Sequence, residues 1–253
     1  MGLFSQAILK THPPDFDEPT EDSLSEGTPV DTATARDMAI ATDLESSLDV
    51  LWARLRTRSL NRAGTEGQAF AVSHWEPQEG ATTLATALAH RAAQVDPACS
   101  FCLVDFDLFG AGLSFLCGLE AAPGISNVLL GQASLEETLS STCLPNLTII
   151  PAGFPTIGRH VAQLYNRCQE LCDALADRFH YVILDMPCLR KHPNFAFWAS
   201  GLAQAVLVVR AGRARRPAVA KAIGTLQLMR LDVAGVVLNA REYYVPRWLY
   251  TRT

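Results

Sequence analysis

The sequence predicts a doubly wound α/β fold, a mostly parallel sheet with helices on both faces, and three observations predict it. From residue 69 onward short apolar runs alternate with amphipathic stretches, the runs are apolar almost without a break, and several of them close on Asp or Asn. Strands buried on both faces read as continuous hydrophobic segments, whereas strands with one solvated face alternate. Polar residues just beyond such strands fall at the carboxyl edge of the sheet, where ligands bind in open α/β folds.

The elements follow in chain order. Residues 69–73 (AFAVS) read as the first strand, 82–95 as a helix and 101–106 (FCLVDF) as the second strand. Residues 147–152 (LTIIPA) form another strand, followed by a helix over 160–178 with Leu164, Cys168, Leu171 and Leu175 on one face. Strands at 181–185 (YVILD), 205–210 (AVLVVR) and 234–239 (AGVVLN) complete the sheet, with a helix over 217–231 between the last two. Ser134-x-x-Glu137 has the spacing of a capping box that opens a short helix.

Upstream, Ile40, Leu44, Leu48, Leu51 and Leu55 recur at three- and four-residue intervals, which predicts an amphipathic helix over 38–60. Residues 11–37 carry four prolines and eight acids against the single Arg36, with few large apolar groups to offset the entropy of ordering. The expected division is therefore a disordered acidic tail over 1–37 and one domain over 38–253. That domain comprises the helix 38–60, a core over 68–240 and an aromatic C-terminal tail over 241–253.

Composition narrows the functional classes. A chain of 253 residues, 49% of them hydrophobic, has apolar material for one sizeable core. The negative charge is concentrated in residues 11–37, leaving 18 acids facing 20 bases elsewhere. Without a basic excess, nucleic acid is not expected as a partner. Arg210, Arg213, Arg215 and Arg216 form a basic cluster whose simplest reading is a solvated loop. No apolar run approaches the roughly 20 residues needed to span a bilayer, and the N-terminus lacks the pattern of a signal peptide, so a cytoplasmic protein is expected. Of seven cysteines only Cys99-x-x-Cys102 has ligand-like spacing, which reads as small buried residues in a reducing compartment; no metal besides magnesium is expected.

The chemistry lies at the strand ends. Strand 69–73 runs into residues 74–89 (HWEPQEGATTLATALA), where a turn leads directly into a helix. A phosphate-binding P-loop, G-x-x-x-x-G-K-[ST], wraps phosphates in backbone N–H groups, neutralises them with its lysine and offers its hydroxyl to magnesium. Here Gly80 and Thr82 fill the last glycine and hydroxyl positions, while Ala81 stands at the lysine and Trp75 at the first glycine. The second strand ends in residues 104–110 (VDFDLFG), presenting Asp105 and Asp107. Strand 181–185 ends in 184–187 (LDMP), placing Asp185 as a Walker B aspartate that would hold magnesium through water. The last strand ends on Asn239. Acids closing buried strands are costly unless they serve a site.

Taken together, these motifs resemble the cytoplasmic bacterial tyrosine autokinases (BY-kinases) of capsule and exopolysaccharide operons, over roughly Val50 to Tyr250. Residues 74–83 (HWEPQEGATT) are similar to that family's S-x-x-P-G-E-G-K-S-T, residues 104–109 (VDFDLF) to I-D-A-D-L-R, and residues 181–187 (YVILDMP) to Y-V-I-I-D-T-P. Residues 124–139 resemble G-L-S-x-x-L-x-G-x-x-x-L-x-x-x-I, residues 147–153 L-x-V-L-P-A-G, and residues 235–250 forms that close with G-V-V-L-N and a tyrosine-bearing tail. The departures are equally specific: Gln78 replaces glycine, Ala81 lysine and Phe109 arginine. In residues 50–57 (VLWARLRT), similar to the oligomerisation segment E-A-Y-R-x-L-R-T, Val50 and Ala53 replace the glutamate and first arginine and only Arg56 is kept.

The resemblance implies a P-loop NTPase-type fold and a site residue by residue. Pro77, Glu79, Gly80, Ala81, Thr82 and Thr83 would surround the phosphates, Asn239 would touch the adenine, and Asp105 is the candidate base. Thr82, Asp107 and Asp185 would stand around magnesium, and Tyr243, Tyr244 and Tyr250 are the candidate phosphoacceptors. The implied cofactor is Mg-ATP or Mg-ADP, weakened by the missing lysine: losing one charge-assisted contact removes roughly 1.5 to 3 kcal/mol, or roughly ten- to several-hundredfold in rate. Among the chain's three lysines, Lys10, Lys191 and Lys221, only Lys191 lies near the carboxyl edge, on an Arg190-Lys191-His192 loop whose simpler reading is a solvated one. The expectation is a catalytically impaired regulatory protein of polysaccharide biosynthesis. It would act on a membrane polysaccharide co-polymerase or glycosyltransferase, be recruited peripherally to the inner membrane by that partner, and be capable of forming a homo-oligomer. An active tyrosine autokinase or ATPase with a substitute cation, and a partition- or septum-site-type positioning ATPase, are the alternatives.

Overall fold

Each strand divides its side chains between two faces, because successive residues point to opposite sides of the pleat. In the computed structural model of the chain this alternation produces two cores, one on each side of a single sheet. The structure describes residues 32–60, 67–153, 165–193 and 204–240. The expected tail up to residue 31 and the C-terminal tail from 241, with Tyr243, Tyr244 and Tyr250, lie outside the described residues.

In chain order the elements are helix α1 (Thr32–Leu60), strand β1 (Gln68–His74), α2 (Ala81–Val95), β2 (Phe101–Asp105), α3 (Gly112–Cys117) and α4 (Ile125–Leu130). A 3-10 turn at Glu136–Thr138 leads to β3 (Ser140–Ser141) and β4 (Leu147–Ile150). Then come α5 (Tyr165–Arg178), β5 (Tyr181–Asp185), β6 (Gln204–Arg210), α6 (Arg216–Leu228) and β7 (Asp232–Asn239). The strand order is β3-β4-β2-β5-β1-β6-β7. Every pairing is parallel except that of the two-residue β3, which forms the sheet edge antiparallel to β4.

The first face buries Phe70, Val72, Phe101, Leu103, Tyr181 and Ile183 under α1 and α2. The intervening residues Ala71, Cys102, Val104, Val182 and Leu184 pack on the other face, against Cys168, Leu171 and Leu175 of α5 and Leu226 of α6. This is the doubly wound arrangement expected from the unbroken apolar runs. Trp52 anchors α1 by standing edge-on to Tyr181, with ring centroids 4.7 Å apart, while its indole N–H donates to Asp96 at 2.6 Å. Arg56 donates to the same carboxylate at 2.8 Å, so the one basic residue kept from the oligomerisation segment is bonded within its own chain.

Helices α1, α3 and α4 differ from the sequence reading. Helix α1 opens at Thr32, so residues 32–37, assigned to the acidic tail, are helical; the prolines and most of the acids of that tail lie farther upstream. Helices α3 and α4 have no counterpart in the sequence reading, because six residues carry too little periodicity to reveal a helix. Ser134 and Glu137 do form the expected cap: the Ser134 N–H and hydroxyl donate to the Glu137 carboxylate at 2.7 and 2.9 Å.

Candidate nucleotide-binding site

Strand β1 lies between β5 and β6, so the turn that follows it emerges at the middle of the carboxyl edge. The turn over residues 75–80 is held open from below. The Glu79 side chain is buried and folds back, accepting the N–H groups of Trp75 and Glu76 at 2.9 Å each through one oxygen. Asn239, at the end of β7, donates its side-chain amide to the Glu79 carbonyl at 2.9 Å. Gly80 takes a left-handed conformation (φ 88°) as N-cap of α2, and a Cβ there would collide with the Asn239 amide, so the position requires glycine. No side chain caps the helix. The first-turn N–H groups of α2, which have no acceptor inside a helix, thus face the cavity the turn encloses.

That cavity has a volume of about 420 Å³, enough for a phosphate-bearing ligand. Pro77, Gln78, Gly80, Ala81 and Thr82 wall it on one side, and Asp107, Phe109 and Gly110 on another. His74 and the turn carrying Cys188, Lys191 and His192 complete it. Phe109 and His192 stack face to face at 3.7 Å between centroids and 7° between planes.

Three carboxylates stand at this edge, and they are not alike. Asp105 and Asp185 are paired in register at the ends of β2 and β5, both essentially without solvent exposure. Asp105 accepts the Ser114 N–H at 2.8 Å and the Ser114 hydroxyl at 2.7 Å through one oxygen, and the Asp107 N–H through the other. Burial still pushes its carboxyl up to about 6. Neither oxygen of Asp185 accepts a full hydrogen bond; the nearby Thr82 hydroxyl eases its ionisation, but burial and the adjacent Asp105 charge raise its carboxyl well above the usual range. Asp107 lines the cavity and accepts the N–H groups of Phe109 and Gly110, which fixes the turn after β2.

A buried carboxylate without a hydrogen bond, next to a hydroxyl at the base of an uncapped helix, is a donor set suited to magnesium. That ion takes one or two protein oxygens and completes its shell with water and phosphate. Among the described residues no cluster of three or more His, Cys, Asp or Glu side chains is placed to hold a metal by itself.

No family model matches the chain. The tyrosine-protein kinase CpsD of Streptococcus agalactiae is 28% identical over 179 residues, which cover 70% of this chain and 77% of CpsD. The chain is a relative of the bacterial tyrosine kinases. The succinoglycan biosynthesis transport protein ExoP of Rhizobium meliloti is 26% identical over 186 residues, 71% of this chain but only 23% of ExoP. In structure, the kinase domain of the Escherichia coli tyrosine kinase ETK superposes with a TM-score of 0.63 at 21% identity, covering 73% of each chain. The fold is that of the P-loop NTPases.

Of the candidate site residues, Pro77, Gly80, Ala81, Thr82 and Asp107 line one cavity. Thr83 is half-buried on the first turn of α2, and Glu79 and Asn239 act beneath the loop as its braces. The Asn239 oxygen accepts the Ala240 N–H, so both ends of the amide already have partners within the chain. Asp105 faces Ser114, tying the end of β2 to α3. Sequence reasoning missed His74, Phe109, Gly110, Cys188 and His192 as cavity residues; the first three lie within motifs quoted for other residues, and no motif signals Cys188 or His192. They arrive there because of how two loops return to the edge. Among the described residues, no helix is long and apolar enough to cross a membrane.

Proposed function

We propose that this protein binds Mg-nucleotide as a catalytically impaired, kinase-like regulator of exopolysaccharide or capsule biosynthesis, acting on the cytoplasmic face of a membrane co-polymerase or glycosyltransferase. The observation that carries the reading is the pairing of an open cavity at an uncapped helix N-terminus with the unpartnered Asp185 carboxylate beneath it, while Ala81 stands where a cation would meet the phosphates. Relationship to CpsD and ExoP supports the pathway.

In this reading the N–H groups of Ala81, Thr82 and Thr83 bind phosphate oxygens, and Thr82 with Asp185 holds magnesium, helped by Asp107. When bound, the nucleotide supplies the transferable phosphoryl group. Glu79 and Asn239 keep the loop in its binding shape. Ala81, buried at 2% exposure, adds no charge to stabilise a transferring phosphoryl group, so binding outlasts catalysis.

Calorimetry with Mg-ATP and Mg-ADP tests the reading. The native chain is expected to bind both, Asp185→Asn to lose most of the magnesium dependence, and Ala81→Lys to raise hydrolysis at least tenfold. Unchanged affinity and hydrolysis in Ala81→Lys would show that the loop is not the impaired element. Phosphotyrosine appearing as fast on the native chain as on Ala81→Lys would establish an active autokinase instead.

A further inference from the structure

We infer that Lys191 supplies, from the loop after β5, the phosphate-binding cation that the loop after β1 lacks. This rests on the nucleotide reading above and specifies how the site holds its anion.

The loop carrying Lys191 is clamped onto β1 and its following turn. The Met186 N–H donates to the Val72 carbonyl and the Leu189 N–H to the His74 carbonyl, both at 2.9 Å. The Cys188 thiol donates to the Trp75 carbonyl at 2.9 Å, and Arg190 pairs with Glu76 at 2.8 Å. The turn then closes on itself, the Lys191 and His192 N–H groups both donating to the Cys188 carbonyl at 3.1 and 2.9 Å. A loop fastened at four places does not wave in solvent. It holds Lys191 among the residues that line the cavity together with Ala81 and Thr82.

Charge makes the position consequential. Asp105, Asp107 and Asp185 crowd this edge with carboxylates, a setting that repels a polyphosphate unless a cation answers it. Of the other basic groups of the cavity, burial lowers both His74 and His192 from the usual histidine range, against the pull of Asp107. Lys221 lies over the Trp75 ring, 5.6 Å from its centroid, and does not line the cavity. Among the described residues, the Lys191 ammonium has no carboxylate within 4.0 Å. An ammonium on a flexible four-carbon stem, anchored at its base, reaches an anion as a point charge without needing the P-loop geometry.

The test is calorimetric titration of the full chain with Mg-ATP, using the native protein, Lys191→Ala, Lys191→Arg and the double variant Ala81→Lys/Lys191→Ala. Lys191 is exposed, so the native protein and the two single Lys191 variants are expected to melt alike. Lys191→Ala should weaken binding about ten- to hundredfold, Lys191→Arg should keep most of the affinity, and the double variant should recover it to within a few-fold. Equal affinities for the native protein and Lys191→Ala would overturn the inference and leave the nucleotide reading standing. A loss that neither arginine nor the restored loop lysine repairs would also overturn it, because it would mark the turn as merely structural. A native chain that binds no nucleotide would overturn both.

Discussion

Strands β1 and β5 lie side by side, yet the residues that follow them have opposite character. Beyond β1, the positions where a phosphate loop carries glycine and lysine hold Trp75 and Ala81, both buried and packed into the two cores. Beyond β5, Asp185 remains a buried carboxylate with no hydrogen bond to either oxygen. The first change suits the fold, since apolar groups gain from burial. The second costs the fold about 1 to 3 kcal/mol for a buried group left without a partner. A protein tuned for stability alone would not keep Asp185 buried and unbonded. A costly acid beside an apolar turn fits the proposal that Asp185 serves a ligand.

The contrast can be broken most forcefully at Trp75. If the first loop position has become core, Trp75→Gly should lower unfolding stability by about 3 to 5 kcal/mol in urea denaturation. A loss below about 1 kcal/mol would place the indole outside the core and leave the loop as an ordinary phosphate turn.

Asp185 sharpens the opposite side. Asp105 is pushed up to about 6 and Asp185 is raised as well, against about 3.9 in the unfolded chain. The folded state therefore binds more protons across that interval. The Asp105 contribution to stability is fully present below about pH 4 and is lost as pH rises through about 6, on the order of 3 kcal/mol, and that of Asp185 has the same sign. Asp185→Asn should raise stability at pH 7 by about 1 to 3 kcal/mol and flatten the decline between about pH 4 and 6, since it removes the neighbouring charge. A slope unchanged by the substitution would mean that the two carboxylates do not sense each other.

The smallest effect belongs to Gln78, which adopts φ 64° where the resemblance places glycine. A non-glycine residue in that region costs roughly 1 to 2 kcal/mol, part of which glycine forfeits through its freer unfolded chain. Gln78→Gly should therefore stabilise by about 1 kcal/mol or less, read as a small rise in Tm without change in nucleotide affinity. A destabilisation would show that the Gln78 side chain makes contacts worth more than the backbone strain.

Much of the fold was legible because its strands are buried on both faces. Residues 181–185 and 205–210 are hydrophobic throughout, and each became a central strand almost to the residue. The turn after β1 was legible from Gly80 and Thr82, and the buried acid at the carboxyl edge from Asp185 closing an apolar run. Short helices such as α3 and α4 escaped notice since two turns leave no period to read. The candidate base was read from its place at a strand end, but position cannot say which way a carboxylate turns. In the structure Asp105 is bonded to Ser114, nine residues on.

By itself the sequence determined the alternation of strands and helices, the placing of three acids and an asparagine at one edge, and an uncharged residue at position 81. Those are properties of local composition, and they follow from hydrophobic runs and the residues that end them. Only the tertiary structure decided that Asn239 braces the phosphate turn, that Asp185 lies unpartnered next to Thr82, and that Lys191 returns to the cavity. Each depends on contacts between segments roughly 100 or more residues apart, such as Cys188 with Trp75 and Asn239 with Glu79. Such contacts are fixed by strand order and loop closure, which no neighbouring residue encodes.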